Sequence, residues 1–242
     1  MKKIIYFMAV MSAMMVSSCG KDDSGSGEWV LDFEDNFDGT QLNKDNWTIY
    51  DNAGSTNPDH KRRVEAIEVK DGLLNCIVDK HPTDSSHFMA GGIGCRKNYL
   101  YGKFEFRIRM DHDPLYATSG VALTWPESEV WPKDGENDIF ETEYETHRWD
   151  TYIHYVNDQG EHKTHHHNYD MDKTQWRVVA MEWTPDYIKT YVDGKLMWTL
   201  EDRKTIPKVT HHICFQVEKH IDKGLEKPVR LQVDWVKIYK RK

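Results

Sequence analysis

Three carboxylates fall within six positions in Gly135-Glu136-Asn137-Asp138-Ile139-Phe140-Glu141, a run that is otherwise apolar and strand-like. Side chains alternate across a strand, so Glu136 and Asp138 share a face and Glu141 falls on the other. A β-bulge adds one residue to the count and returns Glu141 to the face of its two neighbours. Two carboxyls converging from one sheet face are what cleavage of a glycosidic bond requires, one attacking the anomeric carbon and the other protonating the departing oxygen. A third acid beside the attacking group shares a proton or hydrogen bond with it, and the crowding of charge raises the proton affinity of at least one member. The competing reading is a solvated acidic strand face. It is opposed by Trp125, Pro126, Trp131 and Pro132 just upstream, because clustered indoles suit stacking on sugar rings.

Acids so placed need a sheet beneath them, and the chain supplies strands in abundance. Phe104, Phe106, Ile108 and Met110 alternate with Glu105, Arg107 and Arg109, the pattern of a half-buried strand. Lys70-Asp71-Gly72-Leu73 and Val192-Asp193-Gly194-Lys195 put Asp-Gly between strand-like runs, which predicts two tight hairpins. No long stretch repeats every 3.6 residues, so helix content is expected to be low. With 242 residues, 38% of them hydrophobic and 12% aromatic, the chain can bury a large core. Two stacked antiparallel sheets let such strands bury one face each.

Loops and cysteines complete this picture. Residues from Tyr50 to Arg63 are rich in Asn, Asp, Gly, Pro and Ser, and predict a long loop walling the cleft. Of Arg62 and Arg63, which close it, Arg63 is the candidate for hydrogen bonding sugar hydroxyls, against a solvated arginine pair. Asp111–Tyr116 forms a second loop leading into Ser119–Trp125, the expected strand beside the acids. Cys76, Cys95 and Cys214 sit in apolar settings without metal or disulfide spacing and are expected to be buried free thiols. The 13 histidines include His165-His166-His167, but consecutive residues on a strand face opposite ways and do not converge on a metal.

The N-terminus reads as an address. Lys2 and Lys3 precede an apolar run from Ile4 to Val16, too short to span a bilayer, which predicts an export signal over residues 1–18. Val16-Ser17-Ser18-Cys19 resembles a bacterial lipobox, making Cys19 the lipidated first residue of the mature chain. Residues 19–27 are small and polar, a flexible tether. Their Lys-Asp-Asp resembles surface-export tags of Gram-negative lipoproteins, so the expected location is the outer membrane or cell surface. Loss of Lys2 and Lys3 takes the formal charge from -8 to -10, which argues against nucleic acid and points to a neutral polymer.

The acid run resembles the signature of glycoside hydrolase family 16, whose bulged form reads Glu-x-Asp-x-x-Glu. Tyr101–Arg109, Trp183–Gly194 and Val233–Tyr239 resemble family segments in the same order, and together the matches span Trp29 to the end. The resemblance implies a β-jelly roll with a concave cleft over residues 28–242. It implies Glu136 as nucleophile, Asp138 as its assistant and Glu141 as acid/base, with retention of anomeric configuration and carboxyls ~5 to 5.5 Å apart. It places Trp125 at the sugar next to the scissile bond and Trp131 further along, with core packing as the rival role for each. Tyr152-Ile-His-Tyr155 resembles a family strand whose histidine, here His154, faces the cleft. A structural calcium is implied by Asp234 and an N-terminal acid in Asp35–Asp38, although Asn36 replaces the usual Glu. No cofactor is required for the chemistry. Asn137 replaces an aliphatic residue, points away from the cleft and needs a partner if buried.

The resulting expectation is a monomeric, endo-acting hydrolase of a neutral β-linked polysaccharide, first a β-1,3- or mixed β-1,3/1,4-glucan. A β-galactan of agar, carrageenan or host type is the alternative substrate. A non-catalytic glycan-binding lipoprotein is the alternative from another class, opposed by the intact acid set.

Overall fold

The computed structural model describes residues 27–51, 61–81, 83, 88–144, 147–220 and 223–242. The export signal, Cys19, nearly all of the tether and the middle of the 50–63 loop lie outside the described residues. From the N-terminus the strands are β1 (Trp29–Asp35), β2 (Trp47–Ile49), β3 (Lys61–Arg62), β4 (Ile67–Lys70), β5 (Leu73–Lys80), β6 (Phe88–Ala90), β7 (Gly92–Cys95), β8 (Gly102–Met110) and β9 (Thr118–Pro126). They continue with β10 (Glu136–Thr142), β11 (Trp149–Val156), β12 (His162–Tyr169), β13 (Arg177–Trp183), β14 (Ile188–Val192), β15 (Lys195–Leu200), β16 (His211–Lys219) and β17 (Val229–Arg241). One 3-10 turn, Val64–Ala66, interrupts them.

Two sheets result. Ten strands form one, in the order β15-β14-β13-β8-β17-β5-β6-β3, with β1 beside β17 and β4 beside β5; seven form the other, β12-β11-β10-β9-β16-β7-β2. Pairing is antiparallel except that short β3 runs parallel to β6. The predicted hairpins are present: Lys70 pairs with Leu73 and Val192 with Lys195. Asp71, Gly72, Asp193 and Gly194 all have positive φ, between 50° and 78°, the backbone that a two-residue turn needs to match strand twist.

The core lies between the sheets. On β8, Phe104, Phe106, Ile108 and Met110 are fully buried, while the charged residues between them face outward. Phe106 meets Phe215 of the opposite sheet edge-on at 5.6 Å, and Phe215 touches Trp47 at 6.0 Å. Each such side chain contributes about 1.5–3 kcal/mol by leaving water. Cys76, Cys95 and Cys214 are free and buried, as expected. Under β10, Phe140 packs on Trp149 at 5.1 Å, and Trp149 stacks on Tyr169 at 5.4 Å. This aromatic column carries the strand that bears the acids. Phe140→Ala is expected to cost about 3–5 kcal/mol in denaturant unfolding; a loss below about 1 kcal/mol would mean that the column does not support β10.

Candidate active site

β10 contains the kink that parity demanded. Against β11 its register steps from Asp138 opposite Tyr152 to Glu141 opposite Asp150, three residues against two. Against β9 it steps from Asp138 opposite Leu123 to Glu141 opposite Val121, again three against two. The extra residue sends both Ile139 and Phe140 into the core, 0% and 1% exposed. Glu141 thereby rejoins Glu136 and Asp138, and the three line one cavity of about 410 Å³ on the outer face of the seven-stranded sheet.

The entry to β10 is pinned from inside. Asn137 finds the partner it needs: its amide N–H donates to Thr124 Oγ1 at 2.8 Å, while its Oδ1 has none among the described residues. Buried His211 lies 3.1 Å from Thr124 Oγ1 through Nδ1 and 3.1 Å from the Asp134 carbonyl through Nε2. Burial pushes its pKa down to about 4, so it is neutral. Nδ1 is also 3.1 Å from the Thr124 carbonyl, so the ring bridges β9 to the Asp134 carbonyl and fixes the chain just before Gly135. Gly135 has φ of 84°, and a Cβ there would lie 2.6 Å from Pro207.

Donors surround the first two acids. Trp131 Nε1 donates to Glu136 Oε2 at 2.6 Å; the indole is 43% exposed, so it stands at the cleft rim and not in the core. His154 faces the cleft, with Nε2 2.8 Å from Asp138 Oδ2 and Nδ1 2.8 Å from His162 Nε2. No hydrogen bond to Glu141 comes from the described residues. Next to it, Tyr152 donates to Glu143, and its ring stacks on His166 at 4.6 Å. Glu136, Asp138 and His154 present ligand-capable atoms within 4.8 Å of one another. Those atoms are joined by hydrogen bonds to one another and to Trp131, so the cluster shares protons and is not read as a cation site.

A second cavity of about 420 Å³ shares Leu123, Gln216 and Glu218 with the first and extends the groove to Trp125 and Tyr50. Its floor is apolar: Val121, Leu123 and Cys214 pack together with Tyr50 and Trp125 against them. The Trp125 N–H donates to Glu129 at 2.8 Å, which holds the indole in the groove wall.

Two site candidates have partners of their own in the structure. Arg63 turns to Asp51, 3.7 Å away, and it is Arg62 that enters the cleft wall. Arg62 is 7% exposed and donates to the carbonyls of Val217 and Gly91 and, at 2.8 Å, to Glu218. Arg62 is the last residue of β3 and Arg63 continues its extended backbone into the 3-10 turn, so alternation decides between the neighbours, and no sequence pattern reveals the register of a two-residue strand. Asp234 sits at the bulge of β17 and accepts from Arg107 at 2.5 Å, with the guanidinium 4.5 Å from the Trp176 ring centre. Asp35 accepts from the Phe37 N–H and from Trp47 Nε1. Calcium requires about six to eight oxygen ligands. Asp234 pairs with a guanidinium and Asp35 accepts two N–H donors, so neither presents a free carboxylate to the ion in this structure. Sequence reading also passed over Glu143, Tyr152, Gln216 and Glu218 in the cavity and exposed His162 beside His154, because their places depend on cross-strand register.

All three acids are held above the ordinary carboxylate range. Burial pushes Glu136 up to about 8, with the charge of Asp138 adding to it. Asp138 is raised well above its usual value by burial and then by Glu141; Glu141 is raised by burial and then by Glu136. The set therefore shares protons at neutral pH. When Asp138 carries one, its repulsion of Glu136 vanishes, and the Trp131 donor favours the charged form of Glu136. Glu141 has no such donor and is pushed up to about 7. A carboxyl whose folded pKa exceeds the unfolded value stabilises the fold below the unfolded pKa and loses that contribution as pH rises through the folded one. For Glu136 the window runs from 4.5 to about 8. Glu136→Gln should accordingly gain stability over the parent between pH 4.5 and 8, by on the order of 2 kcal/mol in thermal unfolding. A pH-independent difference would show that this carboxyl is not held up.

Comparison with known proteins agrees with this geometry. A β-glucanase from Rhodothermus marinus is 25% identical over 286 aligned positions, covering 99% of this chain and 96% of that protein. In fold, a laminarinase from Rhodothermus marinus superposes with TM-score 0.74 at 21% identity, over 89% of this chain and 99% of that one. A prokaryotic β-1,3-1,4-glucanase (lichenase) derived from a mouse hindgut metagenome does so with TM-score 0.69 at 20% identity, over 87% and 99%. Both likenesses establish the jelly-roll architecture. The sequence profile of Glycosyl hydrolases family 16 matches residues 31–237, the span that holds the bulged acid strand and both sheets, and the chain belongs to that family.

Proposed function

We propose that the protein is a retaining, endo-acting hydrolase of β-1,3- or mixed β-1,3/1,4-glucan. The observation that carries this reading is the bulge that gathers Glu136, Asp138 and Glu141 on the cleft face. Glu136 attacks the anomeric carbon, its charge supported by Trp131 and by a proton held on Asp138. Glu141 donates its proton to the departing oxygen and then, as a carboxylate, takes one from the water that releases the product. The groove continues from the acids to Trp125 and Tyr50, where an apolar floor and an indole suit a sugar face. Glucan is favoured over galactan by the β-glucanase relative and by the laminarinase and lichenase folds. A purely glycan-holding role leaves the cost of crowding three buried acids unexplained.

Glu136→Gln should abolish release of reducing ends from laminarin and lichenan, by at least about 10³-fold, while binding of the polymer persists. Surviving turnover would remove Glu136 from the reaction. Proton NMR of the first product should show the β-anomer before mutarotation; an initial α-anomer would rule out retention.

We also propose, from the sequence alone, that the protein is exported and lipid-anchored through Cys19 at the outer membrane or cell surface, working as a monomer. Cells fed a labelled fatty acid should label the parent chain and not Cys19→Ala; equal labelling would refute the anchor.

A further inference from the structure

We infer that His162, on edge strand β12, is a positioning residue that fixes the tautomer of His154 and thereby keeps a proton on Asp138 for Glu136. The inference rests on the roles proposed above for the three acids. Four contacts lie in series. His162 Nε2 is 2.8 Å from His154 Nδ1, and His154 Nε2 is 2.8 Å from Asp138 Oδ2. The two imidazoles lie side by side and nearly coplanar, centroids 5.0 Å apart with 18° between their planes, and Trp131 packs on His162 at 4.8 Å while donating to Glu136.

Each nitrogen–nitrogen or nitrogen–oxygen contact holds a single proton, so three arrangements are consistent; one of them, in which His154 Nδ1–H donates to His162 and an Asp138 O–H donates to His154 Nε2, turns the Asp138 proton away from Glu136 and is excluded when His162 donates, and the other two differ as follows. In the first, His162 Nε2–H donates to His154 Nδ1, His154 Nε2–H donates to Asp138 Oδ2, and Asp138 is free to hold a proton on its other oxygen toward Glu136. Every donor then points toward the nucleophile. In the second, His154 is doubly protonated, His162 accepts, and Asp138 becomes the anion that pairs with the imidazolium. Asp138 then repels Glu136 instead of donating to it. Burial and the neighbouring His154 both lower the pKa of His162, which favours its neutral form. The titratable groups facing the histidine pair are Asp138, Glu136 and, at longer range, Glu141 from β10, and Tyr152 on β11. No proton is lost overall: the histidines orient the chain and do not take part in bond breaking.

The test compares His162→Phe, which keeps an aromatic ring under Trp131 but has no donor, with His162→Gln, whose amide can donate from a similar position. In the parent, nitrogen-15 NMR of His154 at neutral pH should show protonated Nε2 and bare Nδ1. His162→Phe should mix the tautomers, lower kcat on laminarin roughly tenfold with little change in KM, and move the pH profile of kcat. His162→Gln should restore both the tautomer and the profile. The inference is overturned if His154 keeps its tautomer and kcat its profile in His162→Phe, or if the Phe and Gln variants are impaired alike. The NMR readout needs no turnover, so a failure of Glu136 as nucleophile would be seen separately from a failure of His162.

Discussion

The site depends on two neighbouring side chains, Ile139 and Phe140, being buried on the same side of one strand. A regular strand cannot do this, since successive residues point to opposite faces. The bulge is the backbone's answer, and the burial of both residues against the Trp149 column is what stabilises it. Hydrophobic packing on the inner face thus decides the position of a carboxylate on the outer face. The inner polar set of Asn137, Thr124 and His211 holds the other end of the strand, so the acids are fixed at both ends from within.

Electrostatics then distinguish three chemically similar groups. Burial raises all of them, which alone would yield three neutral acids. The donors are distributed unevenly: an indole N–H reaches Glu136, an imidazole reaches Asp138, and Glu141 is left with carboxylates as neighbours. Unequal surroundings therefore give three similar acids different proton affinities. Arg62 serves a different purpose. Its guanidinium is spent on two carbonyls and on Glu218, which makes it a brace for the groove wall.

Much of this was legible in the residues. The spacing of Glu136, Asp138 and Glu141 predicted a bulge from parity alone, and Asp71-Gly72 and Asp193-Gly194 announced their turns because few residues tolerate positive φ. Phe104 to Met110 declared their strand by strict alternation. What stayed hidden depended on pairing between distant segments. Arg62 ends the two-residue strand β3 and Arg63 lies just beyond it, and nothing local marks which of the two turns into the groove wall. His162 is one histidine among many until β11 and β12 are set in register, which puts it opposite Val156, two residues along from His154. Asp234 matched a family pattern, and its engagement by Arg107 follows from the β17 bulge, which no local motif marks.

One feature of the ten-stranded sheet bears on how the molecule can be handled. Trp29 pairs with Arg241, so the first and last strands lie side by side on the sheet that does not carry the groove. The described ends are about one inter-strand spacing apart, roughly 5 Å. A short peptide could join them, and the chain could be reopened at Asp71-Gly72 or Asp193-Gly194, giving a circular permutant whose new termini also arise from the rear sheet and leave the polymer's path clear.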